Sequence, residues 1–106
     1  MKKIIKKHIL EHQVILDSIS SLDESIEKVA DLLIQCLKKS GTIFWCGNGG
    51  SASDSQHLAG ELVGRFVGDR EPLKSISLTA DSAVITCIVN DYGYEHIFSR
   101  QVEALG

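Results

Sequence analysis

The spacing of apolar residues over the first forty positions predicts two amphipathic helices, near residues 2–19 and 22–39. Their apolar faces share a helical periodicity and consist of Ile5, Ile9, Leu16 and Ile19 in the first and Ile26, Val29, Ala30, Leu33 and Leu37 in the second. Ser21, followed three residues later by Glu24, has the pattern of a capping box at the start of the second helix. Residues 1–40 are therefore expected to form a helical segment.

From residue 41 onward the pattern changes to short strands and glycine-rich turns. Residues 42–46 form an apolar run rich in β-formers, which predicts a strand buried on both faces of a parallel sheet. Ser51 and Asp54 have the pattern of a second capping box. The helix that they begin carries an apolar stripe made of Leu58, Ala59, Leu62, Val63 and Phe66. Residues 75–79 alternate and predict a second strand, so the segment has the order of a βαβ unit in an α/β fold.

The last part of the chain predicts two further helical stretches. Asp81 or Ser82 is expected to cap a short helix that runs through Ile88, and residues 95–105 have a second helical pattern. Two strands leave the outward edge of the sheet without a partner. We therefore expect this chain to be the first part of a larger doubly wound parallel sheet, truncated at its C-terminus.

Composition and charge exclude several classes of protein. The 106 residues are enough for one small domain. The formal net charge is −3, so the chain lacks the positive field of a general nucleic acid binder. No apolar run approaches the ~18 residues of a membrane span, and the N-terminus lacks the apolar core of an export signal. Cys36, Cys46 and Cys87 have no CxxC spacing and lie in apolar runs. This pattern predicts reduced, buried thiols in a cytoplasmic protein.

A glycine turn at residues 47–50, Gly-Asn-Gly-Gly, joins the first strand to a helix. Such a turn directs backbone N–H groups and the positive end of the helix dipole at one point, which is typical of a site for a phosphate or a carboxylate. A P-loop is excluded because no lysine lies between Lys39 and Lys74. A dinucleotide fingerprint fits the glycine spacing, but Asp81 lies further along than the expected ~20 residues. A third alternative is a turn that only allows strand and helix to pack closely.

His57 and Glu61 lie one helical turn apart, so their side chains project from the same face of the helix. An imidazole nitrogen and a carboxylate oxygen at this spacing are able to bind one metal ion. The alternative is an exposed His–Glu pair without a ligand. The spacing alone leaves both interpretations open.

Residues 90–93, Asn-Asp-Tyr-Gly, have the residue types of a turn. One interpretation is a simple turn after an apolar helical run. The other is a polar loop that presents Asn90 and Asp91 to the hydroxyl groups of a sugar. The residue types fit both interpretations.

The segment from Cys46 to His57, CGNGGSASDSQH, continues through LAGEL to Gly64 and Arg65. It closely resembles the bacterial phosphoheptose isomerases of the sugar isomerase (SIS) family. Residues 90–93, together with 98–106, resemble the same family in the same order. The resemblance covers essentially the whole chain, and its motifs are longer and more specific than the glycine pattern alone.

This resemblance implies the fold and the reaction. The fold would be the N-terminal half of a doubly wound, parallel-sheet SIS domain, preceded by the two amphipathic helices. The reaction would convert sedoheptulose 7-phosphate to D-glycero-D-manno-heptose 7-phosphate through an enediol, in the biosynthesis of the lipopolysaccharide core heptose. Such a reaction needs a positioned carboxylate and stabilisation of developing oxyanion charge.

The resemblance also implies a role for individual residues. Glu61 matches the catalytic acid/base, and His57 and Glu61 match two ligands of a zinc ion. The substrate-binding positions that match the family are Asn48, Gly49, Gly50, Glu61, Asn90 and Asp91. Family members supply the remaining ligands, a phosphate loop and the second acid/base from a following half, so we expect residues 1–106 alone to be inactive.

Two further expectations concern partners. The family resemblance implies a homotetramer, and the apolar faces of the first two helices are expected to pack against other subunits. The alternative to an enzyme is a non-catalytic SIS protein, similar to relatives that associate with a replication initiator. Those relatives lack the carboxylate that Glu61 matches, which favours the enzyme.

Overall fold

The computed structural model describes all residues, 1–106, as five α-helices and two short parallel strands. In chain order they are α1 (Lys2–Ile19), α2 (Asp23–Lys38), β1 (Ile43–Trp45), α3 (Gly50–Val63), β2 (Ser75–Ser77), α4 (Ser82–Tyr92) and α5 (Ser99–Leu105). Short 3-10 turns occupy Ser20–Leu22 and Tyr94–His96. The chain divides into two compact units, residues 1–34 and residues 35–106.

The first unit contains α1, the 3-10 turn and most of α2. The predicted helices are confirmed, but the predicted capping box at Ser21 is wrong. Ser21 lies inside the 3-10 turn, and its hydroxyl donates to the carbonyl of Ser18 at 2.6 Å. An N-cap residue needs an extended backbone, whereas the backbone stays right-handed helical at Ser20 and Asp23 on both sides of it.

The apolar faces of α1 and α2 are exposed in the chain. Neither helix contains a buried residue, and Ile5, Leu16 and Val29 expose 54%, 66% and 56% of their surface. None of the helices in the structure has both the length and the apolar character needed to cross a membrane.

The second unit is built on the predicted βαβ arrangement, which is confirmed. β1 pairs in parallel with β2, and Phe44 lies opposite Ile76. The indole of Trp45 donates to the hydroxyl of Ser75 at 2.9 Å across this pair. The prediction that β1 is buried on both faces is wrong, since only Ile43 is buried and Phe44 and Trp45 are half-buried. A sheet of only two strands leaves part of each strand uncovered.

The core of this unit is small. Its buried apolar residues come from β1, α3, α4 and the segments that follow β2 and α4, and they are Ile43, Ala59, Leu78, Ile88 and Ile97. Gln101 is buried among them and donates from Nε2 to the carbonyls of Leu78 and Ile97, at 2.9 and 2.7 Å. The bond to Leu78 joins α5 to the segment that follows β2, and the bond to Ile97 is local. Most of the predicted stripe of α3 stays at the surface, and Phe66 lies beyond the end of that helix.

The starts of α3 and α4 differ in how they are capped. The capping box predicted at Ser51 is wrong, because α3 begins at Gly50 and its N-cap residue, Gly49, has no side chain to form a cap bond. The cap predicted at Asp81 is confirmed, since its Oδ1 accepts from the N–H of Val84 at 3.0 Å. α4 extends beyond its predicted end and includes Tyr92.

Arg70 closes the C-terminal end of α3. Its guanidinium donates to the carbonyls of Glu61, Leu62 and Glu71 at 2.6–2.9 Å. A cation at this end also complements the helix dipole.

We expect Arg70→Ala to lower the free energy of unfolding by about 1–2 kcal/mol, measured by urea denaturation. Arg65→Ala is the matched control because the Arg65 side chain forms no hydrogen bond or ion pair, and an equal loss in both variants would contradict the capping role.

Candidate functional site

The glycine turn at residues 47–50 leaves β1 at its carboxyl end and enters α3. A Cβ atom on Gly47 would lie 2.6 Å from the carbonyl carbon and oxygen of Ser51, so this position requires glycine for close packing. Gly49 has φ +58°, a left-handed conformation that also favours glycine. A Cβ on Gly49 or Gly50 would meet no atom within 4 Å. Close packing therefore accounts for Gly47 and leaves open space beside the next two glycines.

The backbone N–H groups of Gly49 and Gly50 in the turn are free to bind a ligand. The N–H groups of Ser51 and Ala52 donate within the turn, to the carbonyls of Asn48 and Gly49, each at 3.1 Å. Those of Gly49 and Gly50 donate to no acceptor in the chain. Because they lie at the positive end of the α3 dipole, they are suited to an oxyanion or a polarised carbonyl oxygen.

Asp81 is the acidic residue on which the dinucleotide alternative depends. Asp81 is the N-cap residue of α4, and its Oδ1 accepts a hydrogen bond from the N–H of Val84. A carboxylate that stabilises a helix start in this way has one oxygen committed to the protein. This arrangement favours a structural role for Asp81 over ribose binding.

His57 and Glu61 meet on the surface of α3, as their spacing predicts. Nε2 of His57 lies 3.0 Å from Oε1 of Glu61, and the two side chains are 74% and 28% exposed. Two ligands bound tetrahedrally to one zinc ion at ~2.0–2.1 Å are separated by roughly 3.3 Å, so this pair fits a shared metal with a small adjustment. No group of three or more possible metal ligands occurs in the chain. The pair therefore presents two possible ligand atoms for a metal ion, and no third possible ligand lies beside them.

Asn90 and Asp91 lie in the last turn of α4, so the prediction that they form a turn or loop is wrong. The chain leaves the helix only at Gly93, which has φ +96°. The Asp91 carboxylate accepts from Nδ2 of Asn90 at 2.8 Å and from the thiol of Cys87 at 3.6 Å. Both residues are exposed at the end of the helix, where their polar groups are accessible to a ligand.

The thiols differ from the sequence prediction in their exposure. All three cysteines are free, as predicted. Cys46 and Cys87 are exposed and Cys36 is half-buried, so the prediction of buried thiols is wrong. An apolar run is covered on every side only when further elements pack over it, and this sheet has two strands.

A cluster of hydroxyl groups holds the first turns of α3 against β2. Ser55, Ser77 and Thr79 lie within 2.6–2.8 Å of one another, and Ser55 is buried. Ser55 and Thr79 both donate to the carbonyl of Ala52, at 2.8 and 3.2 Å. The cluster fixes the helix start that follows the glycine turn. Sequence reasoning missed it, although the alternation of hydroxyl residues along 75–79 was its signal.

Tyr94 is a second contact that sequence reasoning did not identify. Its hydroxyl donates to Oδ1 of Asn48 at 2.6 Å, so the segment after α4 reaches the glycine turn. Both residues line a small cavity of about 170 Å³ that also includes Gly49, Ala52 and Thr79. This contact joins residues 46 positions apart in the sequence.

The predicted site residues thus fall into three sets. One set is the glycine turn, to which the structure adds Tyr94, the second is the His57–Glu61 pair, and the third is Asn90 with Asp91. No hydrogen bond or ion pair joins one set to another. The first two sets share α3 and the turn that precedes it, and the glycine turn and the segment after α4 are joined by the Tyr94 contact.

The chain is similar to a protein family, and to individual proteins, along nearly its whole length. A family model described as SIS domain matches residues 8–105. The phosphoheptose isomerase 1 of Campylobacter jejuni is 51% identical over 106 residues, which are 100% of this chain and 57% of the relative. A phosphoheptose isomerase of Helicobacter pylori is 51% identical over 104 residues, covering 97% of this chain and 54% of the relative. The chain spans about half the length of these relatives.

Solved structures show the same similarity. A phosphoheptose isomerase from Neisseria gonorrhoeae superposes with a TM-score of 0.87 at 40% identity, covering 99% of this chain and 54% of that one. One from Francisella tularensis gives 0.87 at 36% identity, covering 99% and 55%. The chain therefore has the fold of the corresponding half of these structures, and the predicted fold class is confirmed.

Proposed function

The chain belongs to the SIS domain family, and on that premise we propose that the full-length protein isomerises sedoheptulose 7-phosphate to D-glycero-D-manno-heptose 7-phosphate. The observation that carries the proposal is the similarity to phosphoheptose isomerases, 51% identity over every residue of this chain. The geometry of α3 supports it, since this helix follows a turn with open N–H groups and carries a carboxylate paired with an imidazole.

We assign Glu61 as the carboxylate that moves the proton. A ketose becomes an aldose when a proton leaves C1, an enediol forms, and a proton is added at C2 while the hydroxyl hydrogen passes from O1 to O2. A carboxylate positioned within hydrogen-bond distance of both carbons carries out these transfers. The Glu61 side chain is 28% exposed on α3, so it is accessible to a substrate.

The glycine turn supplies donors for the oxygen atoms of the reacting end. The free N–H groups of Gly49 and Gly50 and the side chain of Asn48 lie together where β1 ends. Negative charge develops on O1 and O2 as the enediol forms, and fixed N–H donors stabilise such charge without reorganisation. Asn90 and Asp91, exposed at the end of α4, are the second set that we assign to substrate binding, through hydroxyl groups of the sugar.

We also propose that His57 and Glu61 hold one Zn²⁺ ion per subunit. Their nitrogen and oxygen atoms are ligand types that zinc accepts, and their 3.0 Å separation is close to the roughly 3.3 Å between two ligands of one zinc ion. When bound, the metal would polarise the substrate oxygens as a Lewis acid.

We propose that the protein works in the cytoplasm, on the route to the lipopolysaccharide core heptose. The supporting observations are the free cysteines, which suit a reducing compartment, and the similarity to phosphoheptose isomerases. The position in that route depends on the proposed reaction.

The test of the function is an assay of the full-length protein with sedoheptulose 7-phosphate. Chromatography should detect the aldose heptose 7-phosphate, and turnover in D₂O should introduce deuterium from the solvent at C2. Sedoheptulose without the phosphate is the matched control substrate and should react far more slowly. A protein that binds the sugar phosphate but produces no aldose would contradict the proposal and favour the non-catalytic SIS alternative.

We propose a homotetramer in which the apolar faces of α1 and α2 pack against other subunits. The support is their exposure, with Ile9 at 54% and Ile26 at 53% of their surface accessible. Contiguous apolar faces of this kind mark contact surfaces. Light scattering of the full-length protein should give four times the subunit mass, and Ile9→Glu with Ile26→Glu should reduce it. A monomeric mass for the unmodified protein would contradict the assignment.

A further inference from the structure

Tyr94 reaches the glycine turn from a distant part of the chain. It opens the 3-10 turn Tyr94–His96, directly after Gly93, whose φ of +96° redirects the backbone as it leaves α4. The tyrosine hydroxyl donates to Oδ1 of Asn48 at 2.6 Å. This is the one side-chain hydrogen bond that Asn48 forms in the chain.

The bond decides which group Asn48 offers to a ligand. An asparagine side chain has one carbonyl oxygen and one NH₂ group, and these exchange places when the amide rotates by half a turn. With Oδ1 accepting from Tyr94, Nδ2 has no acceptor in the chain and is left as a donor. The next two residues, Gly49 and Gly50, have the free backbone N–H groups of the turn.

We propose that Tyr94 is a positioning residue that fixes the Asn48 amide with its NH₂ group available to the substrate. The Asn48 NH₂ group then lies beside the free N–H groups of Gly49 and Gly50, and these donors match the carbonyl and hydroxyl oxygens of a sugar phosphate. The inference rests on the proposed function, since it assumes that Asn48 contacts the substrate. Without the tyrosine hydroxyl the amide would occupy both orientations, and one of them would direct an acceptor at substrate oxygens.

Tyr94→Phe in the full-length protein tests the role, because it removes only the hydroxyl. Tyr94 is 55% exposed, so the variant should fold with an unchanged melting temperature. We expect KM for sedoheptulose 7-phosphate to rise about 3–10-fold, the effect of one neutral hydrogen bond. We expect kcat to fall as well, because the Asn48 NH₂ group is one of the donors that face the charge developing on O1 and O2.

Tyr92→Phe is the matched control. Tyr92 is similarly exposed, at 52%, and its hydroxyl forms no hydrogen bond, while its ring packs under the guanidinium of Arg100 at 3.7 Å. The control substitution keeps this ring and should leave KM and kcat unchanged. An unchanged KM in Tyr94→Phe, or an equal rise in both variants, would overturn the inference.

A double-mutant cycle with Asn48→Ala shows whether Tyr94 acts through Asn48. Dissociation constants measured by calorimetry keep this test independent of turnover. Tyr94→Phe should weaken binding in the unmodified protein and have no further effect in the Asn48→Ala background. An equal loss in both backgrounds would overturn the inference. If the unmodified protein makes no aldose, the proposed function fails first, whereas an active protein with no coupling in the cycle refutes only the role of Tyr94.

Discussion

Replacing Glu61 with glutamine is expected to lower kcat for sedoheptulose 7-phosphate by about 10²–10⁴-fold, the range that general acid–base catalysis contributes. The amide keeps the size and shape of the side chain, which reaches within 3.0 Å of His57 on α3, but it has no carboxylate to accept the proton from C1. Stability should change little, because the side chain is outside the buried core. The measurement is the initial rate of aldose formation by the full-length protein.

Glu71→Gln is the matched control for this substitution. It removes one carboxylate outside α3, and the Glu71 side chain forms no hydrogen bond or ion pair, although its backbone carbonyl accepts from Arg70. The control should retain the rate of the unmodified protein. Bound zinc must be measured in both variants, since Glu61→Gln also removes a proposed ligand. Equal turnover by Glu61→Gln and the unmodified protein would refute the acid/base assignment.

The periodicity of apolar residues predicted most of the secondary structure. The bounds of α1 and the βαβ order follow from spacing and composition, because a helix face and a buried strand impose different periods on the sequence. The capping boxes failed for a local reason. Ser21 lies where the helical backbone continues, and α3 begins one residue before Ser51, at a turn whose conformation is set by glycine. A capping motif in the sequence does not show whether the backbone departs from helical geometry there.

The candidate site was predictable where its members are close in the chain. His57 and Glu61 are one turn apart, so helix geometry alone brings them together. The bond from Tyr94 to Asn48 spans 46 positions and depends on the register of β1 with β2 and on the turn at Gly93. The hydroxyl contacts of Ser55 likewise span 22 and 24 positions. Such contacts follow from tertiary packing, which the local pattern does not encode.

The glycine turn lies where α3 starts close to the end of β1. Gly47 is required because α3 starts so close to β1 that a side chain there would meet Ser51. The same closeness places the free N–H groups of Gly49 and Gly50 at the carboxyl end of the sheet, where parallel α/β folds bind ligands. The closeness of α3 to β1 therefore explains both the need for glycine at position 47 and the place of the N–H groups that are free to bind a ligand.

Replacing His57 with alanine is expected to lower the zinc affinity of the full-length protein by at least about 100-fold, since groups that only orient a ligand already contribute 10–100-fold. The imidazole lies 3.0 Å from Glu61, and without it α3 retains a single proposed ligand. Turnover should fall with the bound metal and recover in part when zinc is added in excess. Zinc content is measured by mass spectrometry after dialysis against a zinc buffer.

His96→Ala is the matched control for the metal assignment, because the His96 ring is exposed and forms no side-chain hydrogen bond or ion pair. It should bind zinc like the unmodified protein. The His57 side chain is 74% exposed, so its replacement by alanine should leave the fold intact. A loss of zinc in His57→Ala would therefore not be caused by unfolding. Equal zinc content in the two variants would show that His57 and Glu61 form only a surface pair. If His57→Ala loses zinc but keeps full turnover, the metal is not needed for the reaction, and Glu61 acts as the acid/base without it.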